Sequence, residues 1–209
     1  MKRALIIQDL QNDFLFNGAL AVPKGEEIIH PINQIIEHFD WVLAVKDWHP
    51  KEHVSFADTW DKEVGEVQDI NGVKQTLWPI HCLENSQGSK HPENFDSDRV
   101  HHTFYKGVNR NVDSYSVFFD QKKSPATPIA TFLMIHQIVE LYFVGVATEY
   151  CVKYSVLDSL SLGFKTFLIT DCCRPIDAKQ GEIALSLMEE KGVNFIQSAQ
   201  IKGGLVALK

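Results

Sequence analysis

The chain has no run of lysine or arginine, and its formal net charge at pH 7 is −7. It therefore offers no electrostatic footprint for a phosphate backbone or an anionic lipid surface. No apolar stretch approaches the ~18 residues that a membrane helix needs. Neither nucleic acid nor membrane is expected as a partner. Cysteine is scarce: the four stand at positions 82, 151, 172 and 173, with no C-x-x-C pair among them. That spacing argues against a secreted disulfide framework and against a Cys-rich structural zinc site. Cys172-Cys173 is expected to be structural. Also missing are internal repeats, low-complexity tracts and a convincing interdomain linker. Met1-Lys2-Arg3-Ala4 runs into a short apolar segment that soon meets Asp9 and Gln11, without the hydrophobic region or cleavage site of a signal peptide. The expected address is the reducing cytoplasm, where each thiol is core filler, metal ligand or nucleophile.

With 209 residues and 44% hydrophobic composition, the chain can bury one sizeable core but is too short for two typical domains plus a linker. A single domain over residues 1–209 is expected. Short, nearly continuous apolar runs at Ala4–Ile7, Trp41–Val45, Leu141–Val144 and Thr166–Ile169 read as strands buried on both faces. Val100–Tyr105 and Val193–Ile196 are weaker strand candidates. Helical spacing appears at Ile28, Ile32, Ile35, Ile36 and Phe39, then from Ile129 to Ile138, Val152 to Leu162 and Ile183 to Met188. Pro31 is expected to delay or kink the first helix. Strand and helix alternate, which predicts a parallel α/β sheet. From Asp58 to Ser97 apolar residues are few and no period is sustained, so this interval reads as a long loop covering a site.

In open parallel sheets, ligands bind beyond the carboxyl ends of the strands. The polar residues there are Asp9, Asp47, Lys106, the turn Gly145–Cys151 and Asp171. Cys151 falls where a helix should begin, so its thiol would feel the positive end of the helix dipole, which favours the thiolate. Buried packing explains a cysteine there equally well. Asp9 alone reads as a turn or cap carboxylate, and Lys106 alone as an exposed strand-end charge. If their strands are neighbours, the three become base, charge stabiliser and nucleophile. Asp47 and His49, an i, i+2 pair in extended chain, point to one side and could share a cation, with His81 as a third ligand. Any one of the nine histidines, taken alone, is more often a surface residue. His53 is close enough to add a ligand or support one.

Five segments together resemble the nicotinamidase/pyrazinamidase branch of the isochorismatase-like cysteine hydrolases. They are Ile7-Gln8-Asp9-Leu10-Gln11-Asn12-Asp13-Phe14, Lys46-Asp47-Trp48-His49-Pro50, Leu77-Trp78-Pro79-Ile80-His81-Cys82, Lys106-Gly107, and Val144 through Val152. The resemblance implies a three-layer α/β/α Rossmann-like fold with a mainly parallel sheet and a catalytic triad of Asp9, Lys106 and Cys151. It implies one divalent metal ion on Asp47, His49 and His81, zinc by preference and iron or manganese as alternatives. It also implies a cis peptide between Val146 and Ala147, which makes an oxyanion hole from the Ala147 and Cys151 N–H groups. Phe14 and Trp78 match positions that sandwich the substrate ring, although core packing would account for both. Lys106 would lower the pKa of both Asp9 and Cys151.

The activity so implied is hydrolysis of nicotinamide to nicotinate and ammonia through a thioester, with pyrazinamide as a further substrate. Two alternatives stay open: a related cysteine amidohydrolase acting on another small amide, and a non-catalytic small-molecule binding protein. Oligomeric state is open as well, a homo-oligomer included.

Overall fold

A computed structural model of the chain describes residues 1–202. In chain order the regular elements are β1 (Lys2–Gln8), α1 (Ile29–Ile35), β2 (Trp41–Asp47), β3 (Val67–Ile70), β4 (Val73–Thr76), β5 (His102–Lys106), α2 (Ile129–Ile135), β6 (Ile138–Val146), α3 (Lys153–Ser161), β7 (Lys165–Arg174), α4 (Ala178–Glu190), β8 (Asn194–Ile196) and α5 (Ser198–Lys202). Six strands form one sheet in the order β5-β2-β1-β6-β7-β8, and every neighbouring pair in it is parallel.

Side chains alternate across β1, so its two faces feed two cores. Leu5 and Ile7 join one with residues of α1 and α5, while Ala4 and Ile6 join the other with residues of α2, α3 and α4. The result is the three-layer α/β/α arrangement with a parallel sheet. The expected strands all form, each somewhat longer or shorter than its apolar core. The weaker run at Val100 starts later, at His102, and ends on Lys106 itself. Pro31 lies in the first turn of α1, where the N–H it lacks would have had no partner in the helix.

The interval from Asp58 to Ser97 is not wholly loop. It contains the antiparallel hairpin β3–β4, turned at Asn71-Gly72 with φ of 55° and 85°. Two consecutive positive φ values mark a primed turn, which Asn-Gly favours.

The chain runs outward from β1 to β2 and β5, then crosses back to β6 and continues to β7 and β8. Strand order therefore reverses at β1/β6, the place where open α/β sheets leave a crevice at their carboxyl ends. Asp9 follows β1 and Cys151 follows β6, one on each side of that crevice. Among the described residues, no helix is long and apolar enough to cross a membrane.

Candidate active site

Asp47 ends β2 and is paired in register with Lys106, which ends β5. Asp9 leaves β1 with a φ of 51°, and its N–H donates to Val45 O at 2.9 Å. These three groups are almost entirely withdrawn from solvent. The Lys106 ammonium lies 3.1 Å from Asp9 Oδ2, donates to Cys151 Sγ at 3.3 Å, and makes a close bond to Asp47 Oδ1. A fully buried lysine with two carboxylates and a thiol around it is not an exposed strand-end charge.

Burial would pull Lys106 down, but Asp47, Asp9 and Cys151 raise it well above its ordinary value, so the ammonium persists. Burial would likewise raise Asp47, yet Lys106 and the two neighbouring histidines hold it well below the carboxylate range. Asp9 moves the other way: burial outweighs Lys106 and pushes it up to about 6. Cys151 is raised well above the ordinary thiol value, by burial first and then by the Asp9 charge, with Lys106 opposing. Lys106 thus acts in the expected direction on Asp9 and Cys151 and is outweighed at both. The resting pair is thiol and carboxylate, not preformed thiolate.

Cys151 does not sit at the first residue of a regular helix. It lies in a distorted turn, Thr148–Val152, in which Tyr150 has non-helical angles (φ −115°, ψ −106°), and α3 begins after it. The Val146–Ala147 peptide is cis. Both Ala147 and Cys151 line one cleft, together with Phe14, Trp78, Asp47, His49 and His81. Four lining residues, Leu20, Asp113, Tyr115 and Ile176, belong to none of the segments singled out in the sequence. The Trp78 ring meets Tyr150 edge-on at 4.9 Å, and its Nε1 donates to Tyr115 Oη at 3.2 Å. Gln75, from the hairpin, donates to the same hydroxyl at 3.3 Å and to Asp113 Oδ2 at 3.1 Å.

Asp47, His49 and His81 bring one ligand atom each within 4.8 Å of the others. Nδ1 of His49 is bonded to Gly107 O at 3.0 Å and Nδ1 of His81 to Pro79 O at 2.8 Å. A carbonyl only accepts, so each Nδ1 donates and each Nε2 is turned to Asp47 Oδ2, at 3.7 and 3.8 Å. Such gaps are too long for hydrogen bonds. They are close to the separation of about 3.3–3.6 Å between ligands bound tetrahedrally to a zinc-sized ion. A carboxylate and two imidazoles, each braced by a backbone carbonyl, make a donor set that fits a divalent metal. Gly107 is part of the brace, since a Cβ there would strike the His49 imidazole. Gln11 fixes Asp47 by accepting from its N–H and donating to its carbonyl, both at 2.8 Å.

The His53 ring lies 4.2 Å from that of His49, tilted by 33°, and His53 Nδ1 bonds Ser55 Oγ at 2.7 Å. Burial pushes it down to about 4. It forms a second buried trio with His49 and Asp113. Asp171 does not belong to the site, because its carboxylate accepts from the N–H and hydroxyl of Ser198 at the start of α5. Cys82, Cys172 and Cys173 are buried, and among the described residues none of them is in a disulfide.

Residues 96–200 match the isochorismatase domain family. The nicotinamidase of Escherichia coli (strain K12) is 42% identical over 194 residues, covering 90% of each chain. A solved nicotinamidase/pyrazinamidase of Acinetobacter baumanii superimposes with a TM-score of 0.93 at 34% identity, over 96% of this chain and 98% of that one. The pyrazinamidase of Pyrococcus horikoshii, solved in complex with zinc, superimposes with a TM-score of 0.77 at 31% identity, over 94% of this chain and 99% of that one.

Proposed function

Because the chain belongs to the nicotinamidases of the isochorismatase family, we propose that it hydrolyses nicotinamide to nicotinate and ammonia with Asp9, Lys106 and Cys151 as the reacting groups. The observation that carries the assignment of roles is the fully buried Lys106 ammonium, in reach of Asp9 at 3.1 Å and Cys151 at 3.3 Å on the wall of one cleft.

Asp9 takes the thiol proton as Cys151 Sγ attacks the carboxamide carbon. The N–H groups of Ala147 and Cys151 receive the developing oxyanion. The tetrahedral species collapses, the C–N bond breaks, and Asp9 returns the proton to the departing nitrogen, which leaves as ammonia. Asp9 next takes a proton from water, whose oxygen attacks the thioester carbon. The C–S bond then breaks, nicotinate departs and Cys151 recovers its proton. Lys106 keeps the site's charge balanced throughout, because two carboxylates and a transient thiolate without it would repel one another at short range.

Phe14 and Trp78 flank the aromatic ring. Asp47, His49 and His81 would hold one divalent ion, with zinc the favoured occupant, and bound there it would supply a Lewis-acid contact for the pyridine nitrogen that sets the carboxamide toward Cys151. Pyrazinamide presents the same carboxamide on a ring with nitrogen in the equivalent place, and it is proposed as a second substrate. The test is ammonia release from nicotinamide by purified protein. Stoichiometric binding without release would make the chain a binding protein instead, and release only from non-aromatic amides would move it to another branch.

A further inference from the structure

Gln8 is an anomaly in β1. The residues before it on the same strand, Ala4 through Ile7, are apolar and fully buried, and Gln8 is equally buried. An amide placed there costs free energy unless its hydrogen bonds are made. It shares a face of β1 with Ala4 and Ile6, toward α3, where Ser155 is also fully buried.

The bonds run in one direction. Val117 N–H donates to Ser155 Oγ at 3.0 Å. The Ser155 hydroxyl donates in turn to Gln8 Oε1 at 3.1 Å. The Asp9 carboxylate can only accept, so it takes the amide nitrogen of Gln8 and turns Oε1 to Ser155, whose hydroxyl accepts from Val117 and keeps its own proton to donate. The amide nitrogen is left to face Asp9, and it donates to Asp9 Oδ2 at 3.2 Å. Consecutive residues on a strand normally point to opposite faces. Here they meet because Asp9 leaves the strand with a φ of 51°.

Gln8 and Lys106 thus converge on one oxygen, Oδ2. Oδ1 of Asp9 is buried without a hydrogen-bond partner among the described residues. We infer that Gln8, locked by Ser155, is a positioning residue that clamps Asp9 Oδ2 and so reserves Oδ1 to take the proton of Cys151. Among the described residues the Gln8 side chain has hydrogen bonds to Asp9 and Ser155 and none to Cys151, so it acts through Asp9. The inference rests on the nicotinamidase reading given above.

Three variants test it: Gln8→Leu, which keeps the volume and removes the donor, Ser155→Ala, and Ser155→Thr, which keeps the hydroxyl. With nicotinamide, kcat should fall about tenfold or more in Gln8→Leu while KM stays within about twofold, the pattern of a lost transition-state alignment. Ser155→Ala should fall in the same direction and Ser155→Thr should recover the larger part of kcat. Alkylation of Cys151 by iodoacetamide should slow in Gln8→Leu and Ser155→Ala and recover in Ser155→Thr, because a misaligned base ionises the thiol less often. If Gln8→Leu does not fold, the Ser155 pair decides on the same readouts. The clamp is overturned if kcat and alkylation match the wild type, if kcat and KM shift together, or if Ser155→Thr is as impaired as Ser155→Ala. Wild-type protein that releases no ammonia would refute the assigned reaction, and the alkylation rates would still decide the clamp.

Discussion

Ile7 and Asp9 lie two residues apart and neither exposes any surface, yet burial means opposite things at the two positions. Ile7 packs among residues of α1 and β6, and removing it from water stabilises the fold by about 1.5–3 kcal/mol. Asp9 gains nothing from leaving water. Its burial is tolerated because Lys106 and Gln8 face it, and one result is a carboxyl that titrates near 6. The same contrast divides the body of the sheet from its carboxyl rim. In the body, apolar side chains are interchangeable within limits of volume. At the rim, each buried charge is held in place by another, so no single one can be removed without leaving its partners exposed to the full cost of desolvation.

Substitutions should separate the two regions. Cys151→Ala should lose activity by a factor on the order of 10⁴ or more, since no other group supplies the nucleophile. Its unfolding temperature should stay near that of the wild type, and loss of folding would return Cys151 to the packing role. Lys106→Met should abolish turnover and also cost about 3–5 kcal/mol in denaturant unfolding, because it strands Asp9 and Asp47 as like charges in the interior. Retained stability there would show that the rim charges are less interdependent than their distances suggest. His49→Ala should lower metal content and raise KM for nicotinamide, with the Cys151 alkylation rate close to wild type. Unchanged metal content and KM would remove His49 from the metal set. In the body, Ile6→Val should cost only about 0.5–1.5 kcal/mol and leave kcat unchanged.

The body was also the part most legible in the sequence. Strands buried on both faces announce themselves as unbroken apolar runs, and Ala4–Ile7 and Leu141–Val144 are such runs. The hairpin β3–β4 was hidden because Val67–Ile70 and Val73–Thr76 are mostly solvated and carry little apolar pattern. Its turn, Asn71-Gly72, was the available signal. At the rim, Asp9, Asp47 and Lys106 could be picked out as strand ends, but the direction of their pKa shifts could not. Whether Lys106 or desolvation wins at Cys151 depends on depth of burial, which composition and spacing do not encode. Tyr115 and Gln75 were invisible for a related reason: their roles come from a contact between the hairpin and the segment after β5, 40 residues apart in sequence.

The shifted carboxyl gives a smaller, subtler effect. In metal-free protein the thiol and Asp9 together hold two protons at low pH and share one above it. Asp9 is raised to about 6, so loss of the first proton as pH rises through that value should free the carboxylate that takes the thiol proton as Cys151 reacts. The alkylation rate of Cys151 should therefore rise with an inflection near pH 6. An inflection at the ordinary thiol value would mean that Cys151 and Asp9 titrate independently.

The covalent step between Cys151 at the rim and its substrate is what distinguishes this site from a binding cleft. Rapid acid quenching of the metal-loaded enzyme during turnover of nicotinamide, followed by mass analysis of its peptides, reads that step directly. A nicotinoyl thioester on Cys151, absent from Cys151→Ala, is the expected result. Steady ammonia release with no adduct on Cys151, and with activity retained in Cys151→Ala, would contradict it.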